Sequence, residues 1–126
     1  RLAHLNFGDP YPTPAASCGR DYIHVADLAE AHLAAARRLD GGGTAGDLTL
    51  NVGRGKGVSV REMVTVIGEV TGDRRPAMVE GRRPGDAPRA VASAARAAEA
   101  LGWRARHGVA EMIESAWAGW RLHHGL

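Results

Sequence analysis

The sequence RDYIHVADL, residues 20–28, decides the predicted fold. Side chains in its first half alternate between two faces, which is typical of a short strand over residues 20–25. Asp27 and Glu30 have the spacing of a capping box, so a helix is expected to begin near Asp27 and to end near Leu39. Arg20 therefore stands at the start of a strand–turn–helix unit, where its guanidinium can face an anion on a bound ligand.

Arg20 allows two interpretations. A surface salt bridge to Asp21 or to another nearby acid is the simpler one, since many surface arginines form such pairs. Anion binding is favoured by a second arginine pair, Arg82 and Arg83, in a loop punctuated by proline and glycine (residues 81–90, GRRPGDAPRA). Proline and glycine shape such a loop and can fix the directions of its side chains. The residues alone leave both interpretations open.

The other segments predict an α/β chain with short strands and about four helices. Ser59 and Glu62 form a second capping box, and Gly102 has the position of a left-handed cap after an alanine-rich helix. Further strands are expected at residues 2–7, 48–52 and 76–80, a loop at 8–19, and further helices at 61–72, 93–101 and 109–124.

The apolar positions of the first and last helices predict which side chains pack in the core. They recur at helical spacing, so each helix should bury one face. On the first helix these residues are Leu28, Ala31, Ala35 and Leu39, and on the last they are Ile113, Trp117 and Trp120.

Glycines at positions 53, 55 and 57 follow the expected strand at 48–52. Closely spaced glycines before a helix invite comparison with a dinucleotide-binding turn. That turn requires an acid about twenty residues further on, at the end of the next strand. The corresponding segment here is GDRRPAMVE, residues 72–80, so the comparison is weak. A tight loop near a ligand and a simple turn both remain open.

Composition excludes several classes of function. The 126 residues carry a net charge of only +2 with acids interleaved throughout, which disfavours a nucleic-acid-binding face. No apolar run is long enough to cross a bilayer. Cys18 is the only cysteine, so an internal disulfide is excluded, a structural metal site is disfavoured, and a cytoplasmic location is expected.

Five stretches together resemble the C-terminal part of the extended short-chain dehydrogenase/reductases, the NAD-dependent epimerase/dehydratase family. Within that family the similarity is greatest to the UDP-sugar 4-epimerases. The resemblance spans nearly the whole chain in the family's order and spacing. The five stretches are FGDPYPTP (7–14), RDYIHVADLAEAH (20–32), NVGRGKGVSV (51–60), RRPGDAP (82–88) and LGW (101–103).

The resemblance implies a substrate-binding role for the matching residues. Arg20 and Arg83 occupy the positions of the family's arginines on the UDP diphosphate, where guanidinium groups make charge-assisted hydrogen bonds. Phe7 matches the residue beside the uracil, and Asp86 matches a contact to the ribose hydroxyls. The implied substrate-binding residues are Phe7, Arg20, Tyr22, Val60, Arg83 and Asp86.

The same resemblance implies what the whole enzyme does and what lies outside these residues. Residues 1–126 would form the C-terminal UDP-sugar-binding domain, and an NAD-binding Rossmann domain would precede it. The full enzyme, expected to be a homodimer, would interconvert UDP-glucose and UDP-galactose by oxidation and reduction at C4. The family's Tyr-x-x-x-Lys pair is absent, because Val52 stands four residues before Lys56, the only lysine. The chain alone should therefore be inactive.

Departures from the family pattern keep alternatives open. The family's Asp-Gly-Thr is replaced by residues 15–17 (AAS), a tyrosine found in some epimerases is replaced by Ala90, and an aspartate is replaced by Ser93. The chain could be the same domain of another sugar-nucleotide epimerase or dehydratase. It could also be a truncated or degenerate product without catalytic function.

Overall fold

The computed structural model describes residues 5–7, 18–42, 47–73, 75–81 and 83–126, with only the backbone described for 5–7. This part of the chain has the predicted α/β class, with five short strands and four helices. The strands are β1 Leu5–Phe7, β2 Gly19–Arg20, β3 Val58–Ser59, β4 Met78–Glu80 and β5 Arg89–Ala90. The helices are α1 Val25–Asp40, α2 Val60–Thr71, α3 Ala95–Leu101 and α4 Val109–His124.

Strand β2 brings distant parts of the chain together. It lies between β3, to which it is antiparallel, and β5, to which it is parallel. The amide of Gly19 donates to the carbonyl of Pro88 at 2.9 Å, and the amide of Val60 donates to the carbonyl of Cys18 at 3.1 Å. Strands β1 and β4 form a separate parallel pair. The start of α2 and the loop before β5 therefore both meet the strand that carries Arg20.

The predicted strand–helix unit differs from the structure at its junction. Only Gly19–Arg20 pairs as strand, and α1 begins at Val25. The N-cap is His24, whose Nδ1 accepts a hydrogen bond from the amide of Ala26 at 2.9 Å. The predicted Asp27–Glu30 capping box is therefore wrong. Asp27 is fully buried and bonds to a distant segment, so its carboxylate is not available to cap the helix.

The predicted capping box of α2 is confirmed. The amide of Glu62 donates to Ser59 Oγ at 3.1 Å, and the amide of Ser59 donates to Glu62 Oε2 at 2.7 Å. Hydrogen bonds from the Ser59 side chain and backbone lower the pKa of Glu62, since they stabilise its ionised form. The helix ends at Gly72, whose φ of 76° is the left-handed conformation that glycine adopts without strain. These local signals fix the start of α2 directly beside β3.

The core is smaller than the sequence pattern predicts. Ala31, Ala97 and Trp103 are buried together, and α1 and α3 supply the two alanines. Two predicted core residues are wrong, because Leu39 is 81% exposed and Trp120 is 45% exposed. Trp120 stacks between Trp117 and His124 along the surface of α4, as described by ring-centroid distances of 5.0 and 4.2 Å.

Local pattern predicted helix limits better than strands. The limits of α4 agree with the prediction, and Gly102 ends α3 in the left-handed conformation. Residues 48–52 form no strand; the side chains of Leu50 and Val52 pack instead against the buried core. The predicted loop at 8–19 falls largely outside the described residues. Within the described ranges, no helix is long and apolar enough to span a membrane.

Candidate functional site

Arg20 is the last residue of the central strand of the three-stranded sheet, and three acceptors hold its guanidinium in place. Nη1 donates to the carbonyls of Gly19 and Ala87, both at 2.9 Å. Nη2 donates to Asp86 Oδ1 at 3.3 Å, and both side chains of this ion pair are about one third exposed. A guanidinium has five N–H groups, so two of them have no partner among the described residues and can donate to a ligand. The predicted salt bridge therefore exists, but its partner is Asp86 and not Asp21.

Arg83 and Asp86 stand at the two ends of one turn. The amide of Asp86 donates to the carbonyl of Arg83 at 3.3 Å. Pro84 and Gly85 lie between them, and Gly85 has a φ of 84°. Proline followed by a positive-φ glycine is the signature of a type II turn. The turn fixes the backbone of exposed Arg83 relative to the Arg20–Asp86 pair, while Arg82 lies outside the described residues.

Tyr22 and Val60 lie near the same strand. Val60 opens α2, and its backbone bond to Cys18 places it beside the first residues of the sheet. Tyr22 is half-buried. Burial raises the pKa of Tyr22, the electrostatic effect of nearby Cys18 adds to this, and Arg20 opposes it. The phenol therefore stays protonated over the ordinary pH range and can donate a hydrogen bond.

Phe7 can be placed only by its backbone. It ends β1 and lies opposite Glu80, the last residue of β4. Residues 81–86 follow β4 directly in the sequence. The turn that carries Arg83 therefore begins just after the parallel pair formed by β1 and β4. The structure thus brings Arg20, Val60 and Asp86 around one sheet, and connects Phe7 to them through β4.

Asp21 is a positioning residue that the sequence did not single out. Its Oδ1 accepts from the amide of Arg54 at 3.0 Å, and its Oδ2 accepts from the amides of Gly55 and Ala92 at 3.0 and 3.2 Å. One carboxylate therefore ties β2 to the glycine loop and to the segment after β5. Its partners are 33 to 71 residues away, so no local motif could have revealed them.

The glycine loop has its unusual composition because it passes close to Asp21. A Cβ at Gly53 would lie 2.6 Å from Asp21 Oδ2, and Gly55 has a φ of 71°. A Cβ at Gly57 would meet the Val91 side chain at 2.8 Å. The structure shows a tight loop that packs closely against other segments of the same chain. A dinucleotide-binding role is not needed to explain the glycines.

A buried polar cluster supports the start of α1 from the far side. Asp27 accepts from the amides of Arg106 and His107 at 3.2 and 3.0 Å, and His107 Nδ1 lies 2.8 Å from Asp27 Oδ1. The rings of His24 and His107 are 4.5 Å apart. His24 Nε2 lies 2.8 Å from Ser115 Oγ. This cluster fixes α1 against the segment that leads into α4.

The arrangement around Arg20 is suited to binding an anion with hydroxyl groups nearby. The guanidinium offers charge-assisted donors, and the Asp86 carboxylate can accept from hydroxyls. Among the described residues there is no group of three or more histidine, cysteine, aspartate or glutamate side chains that could hold a metal ion.

No protein-family model matches the chain. A UDP-glucose 4-epimerase of Azospirillum brasilense is 52% identical over 101 residues, which are 80% of this chain and 28% of that protein. A UDP-glucose 4-epimerase structure from Stenotrophomonas maltophila, with bound NAD and formylated UDP-arabinopyranose, superposes with a TM-score of 0.89 at 38% identity, covering 97% of this chain and 36% of that one. A third, from Bifidobacterium longum in complex with NAD+ and UDP, gives 0.86 at 34% identity, covering 98% and 36%.

The fold is that of the C-terminal portion of an extended short-chain dehydrogenase/reductase, as predicted. By sequence and structure the chain matches the C-terminal part of UDP-glucose 4-epimerases. It spans about one third of the length of the curated relatives that it matches.

Proposed function

We propose that this chain is the substrate-binding portion of a UDP-glucose 4-epimerase and that it holds the UDP moiety of UDP-glucose and UDP-galactose. The observation that supports the proposal is the ion pair between Arg20 and Asp86 beside the three-stranded sheet. Arg83 lies at the other end of the turn that contains Asp86. Two relatives with the same fold have structures in complex with a UDP-sugar and with UDP, respectively.

Each residue at this site has a role that its chemistry explains. Arg20 and Arg83 bind the diphosphate, since a planar guanidinium matches phosphate oxygens in charge and geometry. Asp86 accepts from the ribose hydroxyls. The three remaining contacts to the nucleotide are Phe7 beside the uracil, Tyr22 and Val60.

The catalytic groups belong to a domain outside these 126 residues. Residues 1–126 form the C-terminal UDP-sugar-binding domain in this proposal, and an NAD-binding Rossmann domain supplies the cofactor site in a homodimeric enzyme. The chain's sequence fits this division, because its only lysine is not preceded by a tyrosine at the required spacing. The chemistry that NAD supplies when bound is the removal and return of hydride at C4 of the sugar.

The contribution of this chain to the reaction is positioning. Its arginines keep the diphosphate fixed while the oxidised sugar turns over, so that either face of C4 can meet the reacting groups. Holding a reactant in place in this way replaces a costly bimolecular encounter. The backbone contacts of Arg20 to Gly19 and Ala87 keep the guanidinium oriented before the substrate arrives.

Calorimetric titration of UDP tests the proposal in the complete polypeptide that contains these residues. Arg20→Ala and Arg83→Ala should each weaken UDP binding by about 1.5–3 kcal/mol, because each removes a charge-assisted hydrogen bond. The same substitutions should weaken UMP binding less, because UMP lacks the second phosphate. Arg121→Ala on α4 is the matched control and should leave the affinity unchanged.

Two results would refute the assignment of the arginines. Unchanged UDP affinity in both Arg20→Ala and Arg83→Ala would show that the diphosphate binds elsewhere. An equal loss in Arg121→Ala would show that net charge, and not the site, determines affinity. Failure of the wild-type polypeptide to bind UDP would favour the degenerate, non-catalytic alternative.

A further inference from the structure

A second cavity lies between the glycine loop and the segments that flank α3. Its volume is about 470 Å³, and its wall contains both Arg54 and Arg104 with the hydroxyl-bearing Ser93. Every other residue of its wall is glycine or alanine. None of the five candidate UDP-binding residues whose side chains the structure describes lines it.

The charged side chains described on this wall are all positive. Among the described residues neither aspartate nor glutamate lines the cavity, and the Asp21 carboxylate lies behind the wall on the amides of Arg54, Gly55 and Ala92. The larger cavity of about 560 Å³ beside α2 differs in this respect, because Glu69 and Asp73 accompany its two arginines. Two cations with no acid in one concave wall attract an anion of matching size.

One buried donor without an acceptor belongs to a residue of this wall. Arg54 Nη1 is shielded from solvent and has no hydrogen-bond partner among the described residues. A buried donor left unpaired costs free energy, so such groups are normally satisfied.

The loop that carries Arg54 is held rigidly for such a role. Asp21 accepts from the amides of Arg54 and Gly55, so the backbone of the loop is fixed independently of the Arg54 side chain. The Asp21 carboxylate is engaged with backbone donors and forms no described bond to the Arg54 guanidinium. The Nη1 donor of the Arg54 guanidinium therefore has no acceptor among the described residues.

From the cavity, its two arginines and the unpaired donor of Arg54, we propose that this pocket binds a small phosphate-bearing anion. Phosphate offers acceptors on all sides and matches the planar fork of arginine. Arg54 and Arg104 bind the phosphate oxygens, and the Ser93 hydroxyl donates a further hydrogen bond.

The test is calorimetric titration of inorganic phosphate into the complete polypeptide held at saturating UDP, so that the candidate nucleotide site is filled. Arg54→Met and Arg104→Gln should each weaken phosphate binding at least tenfold, and Arg121→Gln should not change it. Arg104 is exposed, so its replacement leaves the fold intact even if Arg54→Met disturbs the loop. Glycerol phosphate serves as a second ligand, and its binding would indicate a phosphate ester in place of the free ion.

Three outcomes would overturn the proposal. The first is that the wild type does not bind phosphate. The second is that Arg54→Met and Arg104→Gln bind phosphate as tightly as the wild type does. The third is that, in a titration without UDP, only Arg20→Ala loses phosphate binding. The last result would assign the anion to the nucleotide site. UDP affinity should be unchanged in Arg54→Met, so failure of the phosphate site and failure of the UDP site give different patterns.

Discussion

Asp27→Ala should lower the free energy of unfolding by about 3–5 kcal/mol, the largest effect expected of any single substitution described for this chain. Asp27 is fully buried and accepts from two backbone amides while pairing with His107. Removing the carboxylate leaves those amides buried without an acceptor and separates α1 from the segment before α4. The measurement is a urea titration of the complete polypeptide, combined with hydrogen exchange at the amides of Arg106 and His107.

Asp47→Ala is the matched control for Asp27→Ala. Asp47 is exposed, so its loss should change stability little and leave exchange at residues 106 and 107 unchanged. If Asp27→Ala were as stable as Asp47→Ala, the buried cluster would not hold α1 in place.

The effect of Asp27 should depend on pH with a defined sign. Burial raises the pKa of Asp27, but hydrogen bonds from His107 and Arg106 lower it by more, so the net pKa lies below the ordinary value of 3.8. A carboxyl with a lowered folded-state pKa contributes stability that is present above its unfolded pKa and is lost as the pH falls through the folded pKa. The stability gap between wild type and Asp27→Ala should therefore narrow below about pH 4. A gap that stays constant down to strongly acidic pH would contradict this role.

Asp21→Ala should destabilise the protein by about 2–3 kcal/mol and loosen the glycine loop. The carboxylate is the common acceptor for the amides of Arg54, Gly55 and Ala92, so three donors lose their partner at once. Hydrogen exchange at these three amides should accelerate together. Because Asp21 adjoins Arg20, UDP affinity should also fall, although Asp21 makes no contact in the proposed nucleotide site.

Asp21→Asn keeps the shape of this side chain but replaces one of its two acceptor oxygens with a donor group. The amide oxygen can still accept from one or two of the backbone donors, while the amide nitrogen faces a donor. Its loss of stability should therefore lie between wild type and Asp21→Ala. If hydrogen exchange at the three amides were as slow in Asp21→Ala as in the wild type, the loop would be held by other contacts.

The sequence predicted those features that depend on neighbouring residues. The capping box at Ser59 and Glu62 and the positive-φ Gly102 each act within one turn of helix, and both were found in the structure. The same local pattern misled at Asp27, where a capping spacing occurs by coincidence. Its true partner is 80 residues away, and long-range burial overrode the local preference.

The residues of the candidate site also depend on contacts between distant segments, which local sequence patterns do not predict. Arg20, Val60 and Asp86 could be gathered into one site only through resemblance, because β2, β3 and β5 meet by strand pairing between distant segments. Strands of two or three residues carry too little alternation to predict such pairing. The supporting roles of Asp21 and His24 carried no local signal, since both depend on partners supplied by other loops and helices.

The proposed function requires that Arg20 and Arg83 bind the diphosphate of UDP. A crystal structure of the complete polypeptide with UDP tests it most directly. We expect diphosphate oxygens within hydrogen-bonding distance of both guanidinium groups, with Asp86 on the ribose hydroxyls. A diphosphate bound away from both arginines would contradict it.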